Sequence, residues 1–280
     1  MKKKACVIGW PIAHSRSPLI HNYWLKKYGI DAVYEKKPVE PKNAAHFIAN
    51  LASSEFVGCN VTIPHKETAF QAVAVADKIA SRLSAVNTVY LKDGKVYATN
   101  TDGEGFIASL HYAHPDFDLR NKTAAIIGAG GAAKAIIAAF LDGGVARIGI
   151  INRTRERILV LQEQFGPHVF EISETAANDA LATCDLLVNT TSQGMGGKSQ
   201  LALDIRHLKR DALVSDIVYV PLETAFLENA RLQGNPVLGG LGMLLHQAVR
   251  GFELWFGVKP EVTNELYELV AADVQKARTQ

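Results

Sequence analysis

The segment Ala124–Phe140, AAIIGAGGAAKAIIAAF, constrains this chain more than any other. A short apolar run leads into Gly128-Ala129-Gly130-Gly131-Ala132-Ala133, and an alanine-rich helical stretch follows. Strand, glycine turn and helix therefore come in the order of a dinucleotide fingerprint, in its G-x-G-x-x-A form with Ala133 in the last place. Gly128 permits the tight turn, Gly130 lets a pyrophosphate approach the backbone, and the small Ala133 lets helix and sheet pack closely. The helix start offers unpaired N–H groups and a positive dipole end to that anion. Many strand-to-helix turns contain two glycines, so the next strand matters. It spans Arg147–Asn152, and Asn152 lies 21 residues beyond Gly131. NAD sites usually place an acidic residue about there, on the ribose hydroxyls. This chain has Asn152-Arg153-Thr154-Arg155-Glu156-Arg157 instead. A carboxylate would repel a 2′-phosphate, whereas Arg153 and Arg157 can pair with it through charge-assisted hydrogen bonds. The plainer alternative is a solvated basic helix start. The expected cofactor is NADP.

The remaining chain fits an α/β class with two series of alternating strands and helices. In the first, Ala5–Gly9, Ala32–Lys37 and Phe56–Thr62 read as strands, and Leu19–Tyr28 and Asn43–Ala52 as helices. After Pro64 one long helical pattern runs to about Arg82. Val86–Leu91 and Lys95–Thr99, joined by Asp93-Gly94, read as a β-hairpin. A helix at about Glu104–Tyr112 and the polar stretch His114–Lys122 connect to the second series. Its strands are expected at Ala124–Ile127, Arg147–Asn152, His168–Ile172, Leu186–Thr190, Leu213–Ile217 and Pro236–Leu238, and two helices, Met243–Phe256 and Val262–Lys276, close the chain. The expected division is a mainly parallel α/β substrate domain at 1–103, a Rossmann-type NADP-binding domain at 104–240, and helices at 241–280 that pack back on the first.

Composition removes several other classes. Of the 280 residues 48% are hydrophobic and 21% charged, the balance of a folded globular protein. A net charge of +2 gives no reason to expect nucleic acid or a membrane surface as a partner. Cys6, Cys59 and Cys184 form no C-x-x-C pair, which points to buried thiols in a reducing compartment and not to a disulfide or zinc framework. The apolar stretch before Pro11 is too short for a secretory core, and no run approaches a membrane span. The expected setting is the cytoplasm. The expected partner is a small-molecule substrate, on a monomer or a homodimer, with no metal.

Polar residues cluster at the expected strand ends of the first series. Ser15 and Ser17 precede the first helix, where a carboxylate would be favoured, although Ser17 equally fits an N-cap with Pro18 at N1. Asn60, Thr62 and Lys66 follow the strand at Phe56. Asn60 and Thr62 can bind hydroxyls and Lys66 can supply a proton; a lone lysine is more often solvated, and His65 more often structural. Asn87 and Asp102 bracket the hairpin and would lie close if its strands pair throughout, though either fits an ordinary turn.

The ordered set HSRSP, NVTIPHK, AVNT, NTDGEG, GAGGAAKA, NRTRER, NTTSQGM, DIVY and GGLGMLLHQ resembles the shikimate dehydrogenase family over nearly the whole chain. The resemblance implies that Ser15 and Ser17, assisted by Tyr219, hold the substrate carboxylate. Asn60, Thr62, Asn87, Asp102 and Gln247 would meet its hydroxyls, and Lys66, paired with Asp102, would be the acid/base residue. Gly128, Ala129, Gly130, Gly131 and Ala132 would hold the pyrophosphate of NADP; Asn152, Arg153, Thr154 and Arg157 its adenosine phosphate end; Thr190, Ile217 and Gly240 the rest. The implied reaction is reversible reduction of 3-dehydroshikimate to shikimate by NADPH, a step in aromatic amino acid biosynthesis. Two rival readings are an NAD-linked quinate or dual quinate/shikimate dehydrogenase and a nonenzymatic NADP(H) sensor. Arg153 and Arg157 argue against the cofactor of the first, and Lys66 with Asp102 argues against the second. Substrate and cofactor are expected to meet in a cleft that closes on binding.

Overall fold

The computed structural model describes residues 2–197 and 201–276. The chain divides into two compact units, one made of the chain up to Asp102 with Leu245–Val270, the other of Gly103–Leu244 with the chain from Ala271 on.

The first unit begins with β1 (Lys3–Gly9), α1 (Ser17–Lys27), β2 (Ala32–Pro38), α2 (Pro41–Ala49) and β3 (Phe56–Val61). There follow α3 (Lys66–Ala72), β4 (Val75–Ala76), α4 (Lys78–Leu83), β5 (Thr88–Lys92) and β6 (Lys95–Thr99). The strands form one sheet in the order β2-β1-β3-β5-β6-β4. β1 runs parallel to both neighbours, β4 is parallel to β6, and β5 is antiparallel to β3 and β6. The β5–β6 turn carries Asp93 at φ 50° and Gly94 at φ 72°, the paired positive values a two-residue hairpin turn needs.

The single long helix expected after Pro64 is two short ones. Val73 and Val75 leave the helical path, and Val75–Ala76 adds to the sheet edge beside Tyr97 and Ala98. Asp77 then starts α4, its carboxylate accepting from the Ala80 N–H at 2.8 Å. β-branched residues favour the strand, and the carboxylate satisfies an orphan helix donor.

The second unit contains most of α5 (Asp102–Ala113), then β7 (Thr123–Ile127), α6 (Gly131–Asp142), β8 (Arg147–Ile151), α7 (Arg155–Phe165), β9 (Val169–Glu171), α8 (Ala177–Ala182), β10 (Leu186–Asn189) and β11 (Leu213–Asp216). It continues through α9 (Ala225–Gln233) and β12 (Val237–Gly239). All its strands are parallel, in the order β12-β11-β10-β7-β8-β9. Read from β9, this is the 3-2-1-4-5-6 order of a doubly wound dinucleotide fold, whose switch point lies beside β7. The strands are buried apolar runs, as a sheet covered on both faces requires.

The chain ends in α10 (Gly240–Phe256) and α11 (Asn264–Lys276). α10 starts three residues earlier than its apolar pattern suggests, and from Leu245 it belongs to the first unit, as the expected return of this helix requires. Trp255 Nε1 donates to the Val89 carbonyl at 2.9 Å, and Trp24 Nε1 donates to the Glu261 carbonyl at 3.0 Å. Residue 58 is glycine because α10 lies so close to β3 there; an added Cβ would come within 2.0 Å of Trp255 Nε1.

Candidate active site

In the first unit the sequence-derived candidates collect at one edge of the sheet, where β1, β3 and β6 end and β5 begins. Thr62 follows β3, and its N–H donates to the Ile8 carbonyl at 3.0 Å, so the ends of β1 and β3 stay together. Lys66 is the first residue of α3, and its carbonyl accepts from the Val86 N–H at 3.0 Å, which ties the helix to the segment leading into β5. His65 is a structural residue; it is buried and its Nε2 lies 2.7 Å from the Val39 carbonyl.

Lys66 Nζ donates to Asp102 Oδ2, with the two side chains 23% and 10% exposed. The pair is sheltered yet still open to solvent and ligand. Asp102 is not a turn residue. It opens α5, and its N–H donates to Asn100 Oδ1 at 3.1 Å. Its other oxygen, Oδ1, accepts from Asn87 Nδ2 at 2.8 Å. Asn87 in turn is held by backbone, since its Oδ1 accepts from the Thr101 N–H at 2.9 Å. Gln247 on α10 joins from the other end of the chain, its Oε1 at 3.4 Å from Asn87 Nδ2 and its carbonyl accepting from the Thr101 hydroxyl at 2.8 Å.

The helix start at α1 corrects one sequence reading. Ser17 is the first helical residue and not the N-cap, which is Arg16, and no side-chain cap forms. The Ser15 hydroxyl reaches Ser17 Oγ at 3.2 Å, and the Ser17 N–H donates to Ser15 Oγ at 3.3 Å. Both hydroxyls therefore gather at the amino end of a helix of 11 residues, where backbone N–H groups and the helix dipole favour an anion.

Three nearby residues escaped the sequence reading. Thr101 bridges Asn87 and Gln247, Thr88 bridges Asn60 and Asn87, and Tyr34 bonds Asn60. Thr101 and Thr88 stand inside the NTDGEG and AVNT motifs, which could have pointed to them. Tyr34 is a strand residue whose inward polar end carries no one-dimensional signal.

In the second unit Gly128 sits at φ +106°, a conformation open to glycine and strained for other residues. A Cβ there would also meet Thr190 Oγ1 at 2.7 Å. The Thr190 hydroxyl donates to the Ile127 carbonyl at 2.7 Å, which joins the ends of β7 and β10. Gly240 lies against the backbone after β11, where a Cβ would come within 2.2 Å of the Ile217 carbonyl oxygen. Tyr219 lies in the same segment after β11. Gly130 and Gly131 are different, because a Cβ at either would meet no protein atom within 4 Å. Protein packing does not demand those glycines; a bare backbone and an α6 amino end without a side-chain cap suit a pyrophosphate. Ala133 is fully buried. After β8, Asn152 Nδ2 closes the turn on the Thr154 carbonyl at 2.8 Å. Arg155 pairs with Glu171 at 2.9 Å, while Arg153 and Arg157 stay exposed, with no ion pair to a carboxylate among the described residues. They are free to meet a phosphate. The residues present thus fit a phosphorylated dinucleotide.

A dinucleotide-type sheet in one unit and a lysine–carboxylate pair among asparagine, threonine and glutamine side chains in the other define the class: a nicotinamide-dependent oxidoreductase. Three family models match the chain: the shikimate dehydrogenase substrate binding domain over residues 7–89, shikimate / quinate 5-dehydrogenase over 111–217, and the shikimate 5′-dehydrogenase C-terminal domain over 240–264. A curated shikimate dehydrogenase (NADP(+)) of Rhodopseudomonas palustris (strain BisB5) is 51% identical over 96% of this chain and 95% of its own. Shikimate 5-dehydrogenase from Thermus thermophilus, solved with NADP(H) and shikimate, is 30% identical with a TM-score of 0.86, covering 98% of this chain and 99% of that one. A quinate dehydrogenase from Corynebacterium glutamicum in complex with NAD is 28% identical with a TM-score of 0.87, covering 97% and 99%. The chain belongs to the shikimate dehydrogenase family.

Proposed function

We propose that this protein catalyses the reversible reduction of 3-dehydroshikimate to shikimate with NADPH, a step in aromatic amino acid biosynthesis. The observation that carries the proposal is the sheltered Lys66–Asp102 pair, held at the sheet edge by Asn87 beside groups suited to a polyhydroxylated acid. In this reading the Ser15 and Ser17 hydroxyls take the carboxylate. Asn60, Thr62, Asn87, Asp102 and Gln247 take the hydroxyls. The first unit is the substrate domain, and the second carries NADP on the Gly128–Ala132 turn, with Asn152, Arg153, Thr154 and Arg157 at the 2′-phosphate end and Thr190, Ile217 and Gly240 along the rest.

Bound NADPH supplies the hydride. The chain's own task is the proton. As hydride reaches the ketone carbon, negative charge grows on the ketone oxygen, and the Lys66 ammonium stabilises it and then delivers a proton. In the oxidative direction neutral Lys66 removes the hydroxyl proton. Asp102, oriented by Asn87, fixes where the lysine head sits and accepts from a substrate hydroxyl. Three buried free thiols fit a reducing, cytoplasmic setting.

The test is absorbance of the reduced cofactor with shikimate or quinate, each against NADP+ or NAD+. Turnover with shikimate and NADP+ as the preferred pair is expected. Silence in every pairing would refute the reading, and faster turnover with quinate and NAD+ would reassign the chain to that neighbouring activity.

A further inference from the structure

Behind the proposed substrate groups runs a chain of hydrogen bonds that begins at the Tyr34 hydroxyl. Tyr34 lies on β2 and is 1% exposed. Its hydroxyl lies 2.6 Å from Asn60 Oδ1. Asn60 Nδ2 faces the Asn87 carbonyl at 3.2 Å and Thr88 Oγ1 at 3.2 Å. A backbone carbonyl has no proton to give, so the amide nitrogen must lie on that side and the oxygen toward Tyr34. The phenol is therefore the donor.

The direction then propagates. Thr88 Oγ1 donates to Asn87 Oδ1 at 3.0 Å, and Asn87 Nδ2 donates to Asp102. Donation runs one way from Tyr34 through Asn60, Thr88 and Asn87. It ends on the Asp102 carboxylate, an acceptor only, which also receives Lys66. Such a chain polarises its members cooperatively.

Both Asn60 N–H bonds are thereby committed inside the protein. What remains for a ligand is the second lone pair of Oδ1, which can only accept. We propose that Tyr34 is a positioning residue that holds Asn60 as an acceptor for a substrate hydroxyl, at the head of a hydrogen-bond chain that ends on Asp102. The inference rests on the shikimate reading for the identity of that hydroxyl. It adds a specificity rule: the substrate position facing Asn60 carries a hydroxyl in both redox states, because a ketone oxygen there would meet a lone pair. His21, stacked on the Tyr34 ring at 4.1 Å, and Trp255 at 5.8 Å wall the phenol in. Burial pushes the phenol pKa well up, so it stays a donor.

Tyr34→Phe keeps the ring and its stack and removes only the hydroxyl. Losing a buried acceptor's partner is expected to raise KM for shikimate about tenfold. A drop of about a few degrees in melting temperature is expected from the unpaired Asn60 oxygen, with kcat within about threefold and KM for NADP+ unchanged, as for loss of substrate binding alone. In an Asn60→Ala background the same change is expected to add almost nothing. A Tyr34→Phe enzyme with wild-type KM for shikimate would overturn the proposal, as would equal rises in both KM values. The Asn60 side-chain amide NMR signals read the tether without substrate. Two distinct, slowly exchanging protons in the wild type that shift and exchange faster in Tyr34→Phe support it, and unchanged signals overturn it. Should the wild type turn over no shikimate, the functional reading fails while these signals still decide the tether.

Discussion

His21 makes this protein sensitive to mild acid in a calculable way. Its imidazole is 0% exposed and is packed among Tyr34, Trp24, Phe252 and Trp255. Neither ring nitrogen has a hydrogen-bond partner at normal geometry. Burial lowers its pKa to about 3, with the nearby Asn60 side chain offsetting a little of that. In the unfolded chain the value returns to about 6.5. As pH falls below that point the unfolded state takes up a proton that the folded state refuses, so stability present above pH 6.5 is lost progressively toward pH 3. Between about pH 7 and about pH 5 the linkage integral for one such group is about 2 kcal/mol. Most carboxylates are still ionised in both states across that window, so it isolates histidine. The perturbation is His21→Phe, which keeps an aromatic ring and removes the titration. Denaturant unfolding followed by tryptophan emission reports this core directly, because Trp24 and Trp255 both pack on His21. The expected result is a wild-type loss that exceeds the variant's by about 2 kcal/mol over the window, whatever the constant offset between them. Buried His246, also lowered in pKa, contributes equally to both proteins and cancels. Parallel pH dependences would refute the claim that His21 is held neutral.

Three further outcomes are expected. Lys66→Ala should cut kcat by about 10²–10⁴-fold with NADP+ affinity little changed, measured by steady-state kinetics and cofactor fluorescence titration. Replacing Arg153 and Arg157 together by Ala should weaken NADP+ binding by roughly 10–100-fold and leave NAD+ nearly as before; equal losses for both cofactors would remove these arginines from the 2′-phosphate. Gly58→Ala would force a Cβ to within 2.0 Å of Trp255 Nε1 and 2.5 Å of the Val89 oxygen. It should destabilise the first unit by about 1–3 kcal/mol in denaturant melts.

Local chemistry made part of this legible. The glycine turn before α6 demands backbone freedom at Gly128, and the Asp93-Gly94 pair demands a hairpin; both demands are met within a few residues. The absence of a carboxylate at Asn152 could likewise be read from charge alone. Other features were out of reach for stated reasons. Ser17 and Pro18 look like a cap and first-turn pair, yet the helix begins at Ser17 and its hydroxyl turns to Ser15, a choice made by neighbours across the site. The helical pattern from Pro64 to Arg82 breaks at Val75–Ala76 because β6 offers unpaired edge groups there, which no helical periodicity registers. Tyr34 reads as an ordinary strand residue until β2 and β3 are set on either side of β1 in the sheet.

The sequence alone determined where each α/β series runs, which residue types stand at the strand ends, and that one turn suits a phosphorylated dinucleotide. Those properties are local, set by backbone sterics and side-chain charge over a few residues. Only the tertiary structure decided that Lys66 meets Asp102, that Gln247 arrives from the far end of the chain, and which way each amide in the Tyr34–Asn60–Asn87 chain faces. Pairing and donor direction belong to atoms brought together across long stretches of chain, and a hydrogen bond has no direction until both of its partners are in place.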